Sequence, residues 1–260
     1  MDTTTQFITV VIICVTLLAV VQGSLVSRRR RDSFALRPIP AYEALPQIIG
    51  AAIEADRPVH VSLANTGLGG SSTLLTLATA ETFYQVALRA GSPLVTVSDT
   101  TTLPLTYGLL NRAYANQDRA DRFSGRANRW YPAANRSLAF AAALTATLGD
   151  QQVSGSMLLG NFGAELALVL DSALRKKQGA IASSIDLQGQ AVAYVLADHA
   201  LIGEEMFVGG AYLGDAAAQR GAVIALDTLR WLLIAAVVVA TFVAIYEPVR
   251  AALTRLAGGG

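Results

Sequence analysis

One cysteine, Cys14, and two histidines, His60 and His199, are the only thiol and imidazole groups among 260 residues. A single thiol allows neither an intramolecular disulfide nor a cysteine-rich metal site. No H-E-x-x-H spacing occurs, and no G-K-[ST] follows a glycine loop, so the common zinc-hydrolase pattern and the phosphate-binding lysine of the P-loop are both missing. Charge is scarce as well. Asp, Glu, Lys and Arg make up 15% of the chain against 53% apolar residues, the net charge is +1, and no basic stripe extends beyond the four arginines at 28–31. That balance argues against a nucleic-acid partner and leaves an apolar excess to be located.

Most of the excess lies in two terminal runs, "FITVVIICVTLLAVVQGSLV" (7–26) and "LLIAAVVVATFVAIY" (232–246), neither of which contains a charged residue. About 20 residues in a helix rising 1.5 Å per residue cover the hydrocarbon core of a bilayer, so the first run is expected to be a transmembrane helix. The second reaches that length with its flanks, where Trp231 and Tyr246 stand as interfacial aromatics. A cleaved signal peptide would want a positive n-region, whereas the first six residues carry only Asp2, and "RRRR" follows the apolar run. By the positive-inside rule, that cluster orients the N-terminus outward and the middle of the protein toward the cytoplasm. The arginines are also placed to meet anionic lipid headgroups.

Between the runs the chain divides into a proline-rich segment at 32–46, read as an extended linker, and a regular region at 47–215. A connecting helix with the second span follows at 216–250, and a short tail at 251–260. The regular region alternates. Apolar stretches at 58–64, rich in valine, and at 92–99, 152–160 and 180–186 read as strands, and stretches at 47–56, 71–90, 105–117, 133–150, 161–179 (with its opening turn) and 187–198 as helices. "DRFSG" (121–125) is a candidate fifth strand, and "HALIGEEMFVGGAYLGD" (199–215) breaks the rhythm. The alternation predicts an α/β fold with a mostly parallel sheet of four or five strands flanked by helices.

Ligands of open parallel sheets bind where the strands end and turn into helices. The first such turn, "ANTGLGGSST" (64–73), is the most suggestive, with Asn65, Gly67, Gly69, Gly70 and Ser72 as candidate cofactor-binding residues, joined by Asp99 at the end of the second strand. In G-x-G-x-x-G turns, glycines let the backbone approach a pyrophosphate at a helix N-terminus. Here Ser72 replaces the third glycine, and Asp99 stands about 30 residues beyond the turn, against a usual spacing of about 20. A plain strand-to-helix turn with positive φ at its glycines and Ser71, Ser72 or Thr73 as N-cap accounts for the same residues. Asn161, Asp186 and Asp99 can likewise cap the helices that follow them.

Catalytic sets are sparse. His60 lies mid-strand, a structural position, while His199 beside Asp198 is the better candidate base. The adjacent acids Glu204 and Glu205 point about 100° apart on a helix and are read as a solvated face, or as a contact with a neighbouring subunit's arginine. No catalytic or metal-binding residue and no cofactor is assigned.

The segments "HVSLANTGLGGSSTLLTLATAE", "PLVTVSDTTTLPLTYGLLNRAY", "GNFGAELALVLDSA" and "IGEEMFVGGAYL", set between two terminal apolar runs, resemble an uncharacterised family of bacterial membrane proteins found mostly in the Chloroflexota and classed as a domain of unknown function. The resemblance implies a Rossmann-like domain held in a bacterial plasma membrane, and it carries over no catalytic residue. Together with the alanine-rich helix at 138–148 and the small residues at 235–244, which permit close helix packing in lipid, these features favour a non-enzymatic membrane scaffold. Such a protein assembles with itself or with other membrane subunits. A membrane-tethered nucleotide-binding domain using the first glycine turn is the alternative.

Overall fold

The structure, a computed structural model, describes residues 37–132, 137–150 and 152–214, together with helical residues 13–18, 21, 22, 25, 221, 223, 227–238, 241 and 242. The chain forms two compact units, Arg37–Asp215 and Met1–Leu36 with Ala216–Gly260. In the latter, the described residues are helical and expose large apolar side chains such as Leu17, Leu18, Trp231 and Leu233. No helix among the described residues is long and apolar enough to cross a membrane. Large parts of both apolar runs, the arginines at 28–31 and the tail at 251–260 lie outside the described residues.

The Arg37–Asp215 unit is an α/β domain built on six parallel strands. These are β1 (Val59–Ala64), β2 (Pro93–Val97), β3 (Asn128–Trp130), β4 (Gly155–Gly160), β5 (Gly179–Ser183) and β6 (His199–Leu201), in the order β3-β2-β1-β4-β5-β6. Every residue of β1, β2 and β4 is buried, as strands covered on both faces must be. One face is covered by α1 (Pro40–Glu54), α2 (Thr73–Ala87) and α3 (Thr102–Asn116). Against the other, α4 (Ser137–Asp150), α5 (Leu166–Arg175) and α6 (Leu187–Leu196) enclose a core of Phe140, Leu144, Leu158, Phe162, Val169 and Leu170. A last short helix, α7 (Gly209–Leu213), packs on α2.

Three sequence expectations need correction. Residues 40–46 are not an extended linker but the first half of α1. Pro40 sits in the first helical turn, where a missing N–H costs nothing, and the helix tolerates Pro46 because Ala41, Tyr42, Leu45, Ile49 and Ala52 form one buried face. Ile48 lies so close to β4 that a Cβ on Gly155 would come within 2.3 Å of its Cγ2. The start of the unit is tied to its end: Tyr42 stacks on Tyr212 at 5.3 Å and donates to the Glu205 carbonyl at 2.7 Å, and Tyr212 Oη donates to the Arg37 carbonyl at 2.7 Å.

The candidate strand at 121–125 is instead two turns of 3-10 helix, Ala120–Arg122 and Gly125–Ala127, the second capped by the Ser124 hydroxyl. β3 follows it, and its place is set by side chains. Asn128 Nδ2 donates to the Leu103 carbonyl at 3.1 Å, and Trp130 Nε1 to the Ser98 carbonyl at 3.2 Å. The irregular stretch after residue 198 holds the sixth strand, β6, paired with β5 from Ile181↔His199 onward.

Candidate functional site

The strand order reverses between β1 and β4, as in Rossmann-type sheets, whose ligands lie outside the carboxyl ends of the strands at this switch point. All six residues singled out in the sequence gather at that edge. Asn65 turns the chain out of β1 in the left-handed region, at φ 47°. Among the glycines of this turn only Gly69 needs a positive φ, at 96°, so the expectation of positive φ across the whole glycine stretch is corrected. Gly67 is tight for a different reason. A Cβ there would stand 3.2 Å from Asp99 Oδ2, so the acid that follows β2 lies directly beside the glycine turn.

The turn has the outline of a phosphate cradle, but its amides are already bonded. The Asn65 N–H donates to Ser98 Oγ at 2.6 Å, Gly67 to Ser72 Oγ at 3.2 Å and Leu68 to Thr101 Oγ1 at 2.8 Å. Gly69 and Gly70 both donate to Thr73 Oγ1, at 3.0 and 3.1 Å. The carbonyls are engaged as well: Thr66 accepts from the Thr102 hydroxyl, and Gly67 from Ser72 and Thr76. Ser72, expected as a helix cap, makes no capping bond to α2 and spends its hydroxyl inside the loop. Asp99 Oδ1 accepts from the amide and hydroxyl of Thr101, at 2.7 and 2.5 Å, at the entry to α3.

The β4 side is closed in the same manner. The Asn161 amide donates to the Ala64 carbonyl, and Asn65 Nδ2 donates to the Asn161 carbonyl, both at 2.8 Å. Phe162 N–H donates to Ser184 Oγ at 3.0 Å, and Asp186 caps α6 by accepting from the Gln188 amide at 2.7 Å. Sequence reasoning passed over Ser98 and Thr76 and offered Thr73 only as a helix cap, although the two hydroxyl-dense strings "GGSST" and "SDTTT" carry most of this network.

The remaining candidates lie elsewhere. His60 is fully buried in β1, with Nε2 2.9 Å from Thr96 Oγ1, and burial, with Arg129 nearby, lowers its pKa to about 3. At neutral pH it is uncharged. Its Nδ1 and the hydroxyl of Ser156, its register partner on β4, have no hydrogen-bond partner among the described residues. His199 begins β6 at the amino edge of the sheet, opposite the turns. Glu204 is exposed, whereas the half-buried Glu205 is engaged within its own chain: its Oε1 meets Arg37 Nη2 at 2.6 Å, and its Oε2 accepts from the Ile202 amide at 3.2 Å. Among the described residues no group of three His, Cys, Asp or Glu is placed to hold a metal.

No curated protein and no solved structure matches the chain. A family model does, over residues 1–254. With nearly its whole length matched, from the first apolar run through the α/β unit to the second, the chain belongs to the domain of unknown function family DUF6754.

Proposed function

We propose that the protein is a membrane-anchored scaffold or accessory subunit of a bacterial plasma membrane, whose Rossmann-like unit faces the cytoplasm and associates with a second copy of itself. The charge-free runs at 7–26 and 232–246 support the anchoring, and the arginines at 28–31 support the orientation. The observation that carries the assembly is the outer face of α6. Leu187, Tyr194 and Val195 are 81%, 76% and 75% exposed, Ala191 lies between them at helical spacing, and the helix contains no charged residue. Beside it runs β6, the last strand of the sheet. An uncharged apolar stripe at a sheet edge needs an equally uncharged partner surface, and two copies related by a two-fold axis supply one to each other.

The mass of the detergent-extracted particle tests this reading. A dimer or larger assembly is expected, and Tyr194→Arg should convert it to a monomer without lowering the melting temperature of the monomeric unit. A monodisperse wild-type monomer that co-purifies with no other membrane subunit would overturn the reading.

One relationship favours a second function, nucleotide binding at the switch point: Asp99 stands against Gly67, where an acid could accept from a ribose hydroxyl. Against it, five amides of the turn already donate to hydroxyls, and a phosphate would have to displace them. A thermal-shift series with NAD, NADP, ATP, GTP and sugar nucleotides separates the two readings. A ligand at 100 times its Kd stabilises by about 2.7 kcal/mol. A shift abolished by Gly69→Val would establish the nucleotide site, and no shift with any of them would exclude it.

A further inference from the structure

On the edge of the sheet opposite the glycine turn, a cavity of about 430 Å³ opens where α1, α2 and α3 end and β1 and β2 begin. Four arginines line it, Arg57, Arg89, Arg119 and Arg122, and one acid, Asp56. They come from three separate connections. Two of those connections are built alike. α1 ends on Asp56 at φ 50°, with the Arg57 amide returning to the Ala52 carbonyl at 2.9 Å; α3 ends on Asp118 at φ 54°, with the Arg119 amide returning to the Tyr114 carbonyl at 2.9 Å. In each case a left-handed aspartate stops the helix and delivers the next residue, an arginine, to the cavity.

None of the four arginines forms an ion pair with a carboxylate among the described residues. Arg89 bonds only neutral groups, the Gln85 carbonyl and side chain and the Leu213 carbonyl, and so keeps its full charge. Arg119 has a single long contact with Gln117 Oε1, at 3.5 Å, and the side chains of Arg57 and Arg122 make no hydrogen bond among the described residues. Arginines at helix C-termini complement the helix dipole, and charge arithmetic decides whether that is all they do. Three helix ends contribute about half a negative charge each and Asp56 contributes one, so four guanidinium groups leave a net positive charge of about one and a half. Asp118 and Asp121, on the same connection as Arg119 and Arg122, are exposed and do not line the cavity.

We infer that this cavity is a binding site for a phosphate monoester, with Arg57 and Arg122 as the unengaged guanidinium groups that grip it. Guanidinium forks match phosphate oxygens in bidentate geometry. The volume exceeds what a bare phosphate fills and lies in the range of small-ligand pockets, and the floor includes the buried apolar side chains of Val59 and Ala90. The ligand therefore carries a small organic body beside its phosphate. Two sources share that chemistry, a soluble phosphorylated metabolite and the headgroup of an anionic lipid. The inference does not rest on the assembly reading, since α6 contributes nothing to the cavity.

The test is calorimetric titration of the full chain in detergent micelles, with glycerol 3-phosphate in one arm and short-chain phosphatidic acid in the other, and with glycerol and short-chain phosphatidylcholine, neither of which carries a phosphate monoester, as controls. Binding in either arm is expected, weakening with added salt and becoming at least tenfold weaker in the R57A/R122A double variant. Arg57 and Arg122 are exposed and their side chains bond nothing among the described residues, so the melting temperature of the double variant should match wild type. Binding of glycerol 3-phosphate identifies a soluble ligand, and binding of phosphatidic acid alone identifies a lipid. Failure of wild type to bind either ester, or unchanged binding by the double variant, would overturn the inference.

Discussion

Asn65 Nδ2 donates to the main-chain carbonyl of Asn161 at 2.8 Å, so the turns leaving β1 and β4 are stitched together across the point where a Rossmann-type sheet would open to its ligand. The residue that makes the stitch also turns the chain in the left-handed region, at φ 47°. Both jobs suit asparagine, which tolerates that conformation better than other non-glycine residues.

The two jobs separate by substitution. Asn65→Gly keeps the conformation and loses the bond, and should cost about 1 kcal/mol. Asn65→Ala loses the bond and adds backbone strain, and should cost about 2 kcal/mol, or roughly 4–8 °C in a unit of this size. Thermal melts of the full chain decide it. Equal loss in the two variants would mean that the left-handed φ carries no energetic weight.

The hydroxyl network makes a second prediction. Thr73 Oγ1 accepts from the amides of both Gly69 and Gly70 and donates to the Gly70 carbonyl at 2.7 Å, on an exposed part of the loop. Thr73→Val keeps the shape and deletes three bonds, but water reaches the freed groups, so the loss should stay near 1 kcal/mol. Hydrogen exchange at Gly69 and Gly70 should quicken at least tenfold. Unchanged exchange would show that the hydroxyl does not hold those amides.

Much of the architecture was legible in the sequence because β1, β2, β4 and β5 are apolar runs bounded by turn residues, and periodicity reads such runs well. What escaped depends on partners distant in the chain. β3 and β6 are three-residue strands, too short to carry a period, and β3 is placed by bonds from Asn128 to Leu103 and from Trp130 to Ser98. The start of α1 was hidden by its prolines, whose local signal is extended chain and whose helical state is settled by burial of Tyr42 and Leu45. The glycine turn was located correctly. That the Asn65 and Leu68 amides are taken could not be read, because Ser98 and Thr101 reach them from beyond β2, whereas Ser72 and Thr73, which take the other three, stand in the turn's own string. The arginine cavity is assembled from three separate connections, and no one of them is basic enough to stand out.

Contact between α1 and the sheet rests on a glycine. A Cβ on Gly155 would meet Ile48 Cγ2 at 2.3 Å, and Ile48, branched at Cβ, has little freedom to move aside. Gly155→Ala should therefore cost about 1–3 kcal/mol through overpacking. Ile48→Ala alone should be destabilising too, and the double variant should be more stable than the sum of the two losses implies, by at least 0.5 kcal/mol. Strict additivity in denaturation or melting measurements would place the strain of the alanine variant elsewhere.

His60 makes stability depend on pH, with a definite sign. Its folded-state pKa is about 3, lowered chiefly by burial and further by Arg129, against an ordinary value of 6.5. Above pH 6.5 the imidazole is neutral in both folded and unfolded chains and contributes no slope. Between pH 6.5 and about 3 the unfolded chain takes up a proton that the folded chain refuses, so stability falls as pH falls, by up to ~1.4 kcal/mol per unit. Below about pH 3 both states are protonated and the slope ends. Carboxylates also titrate in that range, so the informative quantity is the difference between wild type and His60→Gln, in which their contributions cancel. Gln can still meet Thr96, whose hydroxyl lies 2.9 Å from the imidazole Nε2, but it takes up no proton. The variant should be less stable than wild type at pH 8, and the gap should narrow steadily from pH 6.5 to pH 5. A gap constant over that interval would mean that His60 is charged in the folded protein, or that it is not held inside the sheet.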